Sequence, residues 1–537
     1  MNIADHYQAE AETAHPRANV QRNWPRLTAI LILFSLLINQ YYGNRGIFPV
    51  DSFAHFDTGF RILLGEYPFK NYWIISGPFV DYIQAIFFYL FGVNWQSYVL
   101  HASFLNVVLS IATFIVLRNF NLNIYYSFVY SLLFSILAYP ASGTPFVDHH
   151  SAFFSLLGIY SLILGLRSEK KLFWILLPIF FGFAFLSKQV PSSYVIILVI
   201  IVLSIFSLVQ KKYYWIKYSF LSSIFLILSL LIFGKIQGIS LSSFVDQYLL
   251  YPQSIGAQRI NNLVFTFRGV IGNFKFIYIA LIPLFFINLK KVFFEKNYFK
   301  HKDFYYFLTL ILFTFSLIFH QILTRNQTFI FFLIPILFAF SHIYLNQYKS
   351  NLNNFVSIFL ILICLFATFK YHIRFNENRK FHELNYVNFE LALHGKTIDK
   401  KFTGLKWITP EFSNRPNEEI NLINEIKIHL KNDHRNIMVM TNYSFFSTIL
   451  EKKLFSTTRW HIFDGTDYPQ KNSKYFVNYR NLLINSIKRN NIKVIYTINP
   501  VRNSNIYDYV DNDCFQEKKI TEMLMSYELK NCEEING

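Results

Sequence analysis

The sequence predicts a polytopic α-helical membrane protein, with about 11 spanning helices and a small α/β domain outside the membrane at its C-terminal end. Three observations carry this. Of 537 residues, 53% are hydrophobic and only 15% charged, with a mean hydropathy of +0.30. A soluble globular chain carries roughly 25% charged residues. Apolar runs recur from Leu27 to Phe369, whereas the composition after Lys370 is that of an ordinary soluble domain.

The spanning segments are expected at 27–43, 98–117, 123–139, 149–166, 172–187, 191–209, 215–234, 274–289, 304–322, 328–345 and 352–369. The first is apolar and basic-flanked but lacks an A-x-A-like cleavage site, so it reads as a retained helix. A further apolar stretch, "GPFVDYIQAIFFYLFG" (77–92), is assigned by loop charge. If it does not cross, Arg17, Arg22 and Arg26 share a side with Arg118, "LRSEKK" (166–171), Lys211, Lys212, "LKKVFFEKNYFKHK" (289–302) and Lys349. The positive-inside bias then makes 1–26 a cytoplasmic N-terminus and 44–97 the first extracellular loop. The tail 370–537 falls on the outer side. The formal charge of +18 is thereby spread over short loops, which argues against nucleic acid as a partner.

In the tail, "NEEINLINEIKIHLKN" (417–432) has helical apolar spacing and "NIMVM" (436–440) reads as a buried strand. "SFFSTILEKK" (444–453) and "YRNLLINSIKRNN" (479–491) are expected helices, and "IKVIYTI" (492–498) a second strand. Helix–strand alternation predicts a layered domain with a parallel sheet. Cys514 and Cys532 both lie in this domain, and an oxidising compartment would pair them. Pairing requires that "CFQEKKITEMLMSYELKNC" turn back on itself, because one continuous helix would hold its ends too far apart.

The candidate chemistry starts in "FPVDSFAHFDTGFRILLGEYPFKNYWIISGPF" (48–79), directly after the first apolar run. Asp51 is placed at the mouth of that helix, where partial desolvation raises a carboxylate pKa. The stretch after it reads as an interfacial amphipathic helix ending at Gly65, with Asp57 and Arg61 four apart and paired on its wet face. On the same outer face fall Asp148, His149 and His150, Lys188 and Arg325.

At these residues the chain resembles the C-type glycosyltransferase superfamily, which includes protein O-mannosyltransferases, lipid A aminoarabinose transferases and oligosaccharyltransferases. The resemblance rests on an ordered set: Asp51 after the first helix, "GEYPFKNYW", "SGPFVDYIQAIFFYLFG", "SGTPFVDHHSAFFSLLGIYSL" (142–162), "FGFAFLSKQV" (181–190) and "TRNQTFIFFLIPILFAF" (324–340). It implies a transferase that takes a sugar from a polyprenyl-phosphate donor, with inversion, to a glycan, lipid or protein acceptor of the cell envelope. By position Asp51 matches the general base and Asp148 the acidic residue of the second outer loop. A hydroxyl acceptor must lose its proton as it attacks, and the departing phosphate needs cations, a role open to Lys188 and Arg325. His55, Asp57, Arg61, Tyr67 and His149 complete the expected substrate-binding set. Asp51, Asp148 and His149 are candidate ligands for a divalent metal. Consecutive histidines point to different helix faces, and Ser52 stands where the family often has a second acid. The rival classes are a transporter or flippase, in which intramembrane charges mark a path, and a non-catalytic scaffold.

Overall fold

The computed structural model describes residues 24–325, 329–347, 353–462, 465–498, 506–530 and 532. Arg17, Arg22 and Lys349, used above to assign sides, lie outside them. Each expected spanning segment is represented by a helix. Among the described residues seven helices are long and apolar enough to cross a membrane. They are Trp95–Asn119, Val147–Ser168, Gln189–Gln210, Tyr214–Gln237, Lys275–Phe294, Lys302–Thr324 and a last helix whose α-helical part is Asn353–Tyr371. Ile124–Ala138, Lys171–Ser187 and Leu333–Leu345 are shorter apolar helices, and 24–43 is the first helix of the chain.

Burial orders these helices. Every residue from Val147 to Leu166 is buried, as is every residue from Leu333 to Tyr344, so these two helices form the centre of the bundle. Tyr214–Gln237 buries only Ser222 among its residues and turns its Phe, Leu and Ile side chains outward, as a lipid-facing helix does. The central helix folds back onto Lys171–Ser187 through a left-handed turn at Glu169. Small residues let the two approach: a Cβ on Gly158 would sit 2.8 Å from the Phe181 ring, and one on Gly165 would sit 2.9 Å from Trp174.

The helix Pro78–Phe91 is about 21 Å long at 1.5 Å per residue, short of the roughly 30 Å hydrocarbon core. Left-handed Gly77 precedes it and Asn94 caps the next helix by accepting from the Ser97 N–H at 2.9 Å. It buries Val80, Asp81, Gln84, Ala85 and Phe88 and exposes Ile86, Tyr89, Leu90 and Phe91.

In the C-terminal domain, Ile437–Met440 pairs parallel with Val494–Ile498. The next neighbour, Leu524–Leu529, is antiparallel to Val494–Ile498 and forms a hairpin with Phe515–Lys519. The expected parallel sheet is thus mixed. The stretch between the cysteines is this hairpin, and Cys514 and Cys532 form the expected disulfide, their Cα atoms 5.5 Å apart. The two-residue period places Ile437 and Val439 on one face, against Ile420, Ile423 and Ile426 of Pro416–Asn432. Met438 and Met440 face the other side, against Tyr479, Leu483 and Ile487 of Phe476–Asn490.

The domain docks on the loop that follows the first helix, and this corrects the expectation for the opening stretch. The helix Phe56–Leu63 has no wet face at Asp57 and Arg61, because both are buried beneath the C-terminal domain. Asp57 accepts from the Thr448 N–H at 3.0 Å and hydroxyl at 2.8 Å. Arg61 pairs with Glu66 at 2.8 Å rather than with Asp57, and donates to the Ser456 carbonyl at 2.6 Å. Asp81 accepts from the Thr58 hydroxyl at 2.6 Å, from His55 Nδ1–H at 2.6 Å and from Arg459 at 3.1 Å. Burial, with the Arg459 charge beside it, pushes the His55 pKa down to about 4, so the ring is neutral. Around these groups Phe53, Phe56, Trp95, Phe402, Trp407 and Phe445 close an aromatic core shared by loop and domain.

Removing Arg459 leaves Asp81 buried without its cation. Arg459→Ala is expected to destabilise the docked domain by about 3–5 kcal/mol. Limited proteolysis near residue 459 and a thermal melt check it, and an unchanged melting temperature would show that the pair does not hold the junction.

Candidate active site

The site forms where the first loop, the 262–273 segment and the chain following the last helix meet. A short helix, Pro49–Ser52, starts at a proline that presets its φ, and the Ser52 hydroxyl accepts from the Phe48 N–H at 3.0 Å. It carries Asp51, half-buried, to the wall of a cavity of about 540 Å³. That volume lies within the 300–1,000 Å³ range usual for small-molecule sites.

Four cations line the same cavity: Arg268, Arg325, Arg374 and Lys380. None has an acidic partner among the described residues. Arg325 closes the helix Lys302–Thr324 in a left-handed conformation and donates to the Asn262 carbonyl at 3.2 Å. Glu383 is the second acid on the wall, and Phe48, Phe331, Tyr371, Phe375 and Phe381 supply apolar surface. Unpaired guanidinium groups beside aromatic surface suit a phosphate with an apolar substituent.

Asp51 has no ion pair among the described residues, and its pKa is pushed up to about 7. Desolvation is the largest cause, followed by the charges of Asp148 and Glu383, while Lys188 pulls the other way. A carboxyl group with that proton affinity is suited to taking a proton near neutral pH.

Asp148 opens the central helix and is matched. Lys188 Nζ donates to its two oxygens at 2.8 and 2.7 Å, and His320 Nε2 lies 3.1 Å from Oδ1. Lys188 sits in the break between Lys171–Ser187 and Gln189–Gln210. His149 and His150 diverge, as consecutive helix residues must. His150 Nδ1 meets the Phe146 carbonyl at 2.9 Å and its Nε2 meets His101, whereas His149 is enclosed by Tyr139, Phe153 and Phe329. Among the described residues no group of three or more His, Cys, Asp or Glu side chains is placed to hold a metal ion. Asp51, Asp148 and His149 therefore do not come together as one ligand set.

Of the other expected residues, His55, Asp57 and Arg61 belong to the buried junction and do not line the cavity. Tyr67 is half-buried outside it, with the Lys70 ammonium 5.8 Å from its ring centroid. Reading the sequence missed Arg268, Arg374, Lys380 and Glu383. A signal existed for two of them: "KYHIRFNENRK" (370–380) is rich in cations on the side where the positive-inside bias expects few.

Residues 76–234 match the family model described as dolichyl-phosphate-mannose-protein mannosyltransferase. Over those residues the chain is similar to the C-type glycosyltransferases. The match begins at Ser76, runs through Asp81, Asp148 and Lys188, and ends in the helix Tyr214–Gln237. The family supports a membrane glycosyltransferase that draws on a lipid-linked sugar donor. No curated protein matches the chain.

Because Lys188 balances a buried carboxylate, Lys188→Ala is expected to cost about 3–5 kcal/mol of stability. Replacing both Lys188 and Asp148 by residues of similar volume should recover much of that loss. Melting curves of the single and double variants decide it, and additive losses would show that the two do not act as a pair.

Proposed function

We propose that the protein transfers a sugar from a polyprenyl-phosphate donor to a hydroxyl of an envelope glycan, lipid or protein, at the outer face of the membrane and with inversion at the anomeric carbon. One observation carries this reading: a single cavity brings Asp51 together with four cations that have no acidic partners among the described residues. The family match supports the same class of donor.

In this reading Asp51 takes the proton of the acceptor hydroxyl as its oxygen attacks the anomeric carbon. The bond to the phosphate oxygen breaks, the electron pair leaves with the lipid phosphate, and Arg268, Arg325, Arg374 and Lys380 stabilise the added charge. Lys188 is already spent on Asp148, so the phosphate contact expected of it passes to the lining cations, with Arg325 retained. The aromatic surface from Phe331 to Phe381 fits the sugar and the first part of the lipid. The disulfide supports an oxidising compartment for the C-terminal domain, and loop charge supports the same side for Asp51. A bacterial cytoplasmic membrane with this domain in the periplasm satisfies both.

Labelled polyprenyl-phosphate sugars incubated with the purified protein test the reaction directly. Asp51→Asn should retain donor binding and lose roughly 10²–10⁴ in turnover. Since the base must be unprotonated, wild-type kcat should fall as pH drops through about 7. Wild-type turnover in Asp51→Asn at saturating donor would sink the assignment.

Arg374→Ala should weaken binding of the sugar-free prenyl phosphate by about 1.5–3 kcal/mol, as for hydrogen bonds to a charged group. Unaltered affinity in this variant and in Arg325→Ala would place the phosphate elsewhere.

A further inference from the structure

The wall that holds three of the cavity residues is an unusual turn. Lys380, Phe381 and Glu383 all line the cavity, and the 3₁₀ turn Lys380–His382 is bracketed by two non-glycine residues in left-handed conformation. These are Arg379 at φ 45° and Glu383 at φ 59°. Backbone of this kind costs on the order of 1–3 kcal/mol per residue and persists only where surrounding contacts impose it. Those contacts are present. The buried Arg379 donates to the Ser142 carbonyl at 3.0 Å and bonds His382, tying the turn to the second outer loop. Buried Leu384 follows, so close to Gly46 that a Cβ there would meet its side chain at 2.5 Å. The turn is therefore clamped against the stretch that leads into Asp51, and the strained residue at its end presents a carboxylate to the cavity.

We infer that Glu383 is a positioning residue for the transfer: a second carboxylate, delivered from beyond the last helix to the cavity wall that holds Asp51, whose charge acts on Asp51 across the shared cavity. This rests on Asp51 acting as the base. Ser52 leaves the first loop without a neighbouring acid, and the fold supplies one from more than 300 residues away.

The surrounding charges single out Glu383. Asp148 also acts on Asp51, but Lys188 and His320 face it and Lys188 offsets its charge. Arg268, Arg325, Arg374 and Lys380 line the same cavity, and cations near a carboxylate pull its proton affinity the other way. Glu383 is exposed on the cavity wall and has no ion pair among the described residues. A nearby like charge raises the proton affinity of a carboxylate, in the direction seen for Asp51.

The test is the pH dependence of turnover in Glu383→Gln, with Glu383→Asp and Asp51→Asn alongside. Removing the charge should shift the acid limb of kcat downward by roughly half a unit or more, so that activity at pH 6, relative to each enzyme's plateau, rises about threefold. The plateau itself should fall, because the base is weaker. Glu383→Asp should restore the limb toward wild type. Binding of the sugar-free prenyl phosphate, a second readout, should be equal or tighter in Glu383→Gln, since one acid has left a cationic cavity. An acid limb that does not move, or a loss of phosphate affinity, overturns the role of Glu383. Full turnover in Asp51→Asn would instead remove the base assignment beneath it, so the two failures are distinguishable.

Discussion

The buried carboxylate of Asp81 is the point on which the half of the molecule that carries the C-terminal domain depends. An ionised group taken out of water must be matched almost completely, or the fold pays several kcal/mol for it. Three residues from two segments supply that match. Thr58 and His55 come from the first loop, and Arg459 comes from the C-terminal domain, 378 residues further along the chain. Satisfying one charge therefore fixes the loop and the domain to each other. Arg459 also donates to the Ser76 carbonyl at 2.8 Å, which holds the start of Pro78–Phe91. With the loop held on this side, the short helix bearing Asp51 has a defined place from which to meet the chain beyond the last helix.

Two groups of charges near the site differ in kind. Asp81 with Arg459 and Arg61 with Glu66 are buried and matched, as is Asp148 with the partly buried Lys188, and these pairs hold the structure. The cavity cations Arg268, Arg325, Arg374 and Lys380 have no such partners among the described residues. Cations gathered on one wall repel one another and contribute no stability of their own, so an anionic ligand is the simplest reason to place them together. Their position at one face of the bundle also differs from the midplane sites, built on broken helices, that transporters use.

Much of this was legible in the sequence because it follows from short-range pattern. Apolar length gave the spanning helices, and the continuous apolar run from Ile437 to Met440 gave a strand buried on both faces. Cysteine count and compartment gave the disulfide, whereas the hairpin that permits it is visible only in the fold. The burial of Asp57 and Arg61 was not legible. A helix with an apolar face and charges opposite looks the same whether water or a second domain covers the charges, and the covering residues Thr448 and Ser456 lie nearly 400 positions away. Arg374 and Lys380 were hidden by a different cause. Basic residues after a membrane helix normally report sidedness, and cations placed for a ligand carry the same signature.

Asp51 and Asp148 show why residue type and position could name both acids but not separate their roles. Each is an aspartate beside the end of an apolar helix, and from sequence alone both are candidates for the same chemistry. The fold treats them differently. Asp148 meets Lys188 through both oxygens and His320 through one, so its charge is balanced on site. Asp51 meets no ion-pair partner among the described residues, lies against apolar wall, and shares its cavity with Glu383. Two carboxylates whose surroundings push their proton affinities apart is the arrangement by which one becomes a base and the other a fixed countercharge. Asp148 then has a distinct contribution: paired with Lys188, it sets the end of the central helix, and through its residual field it adds to the proton affinity of Asp51 without competing for the proton.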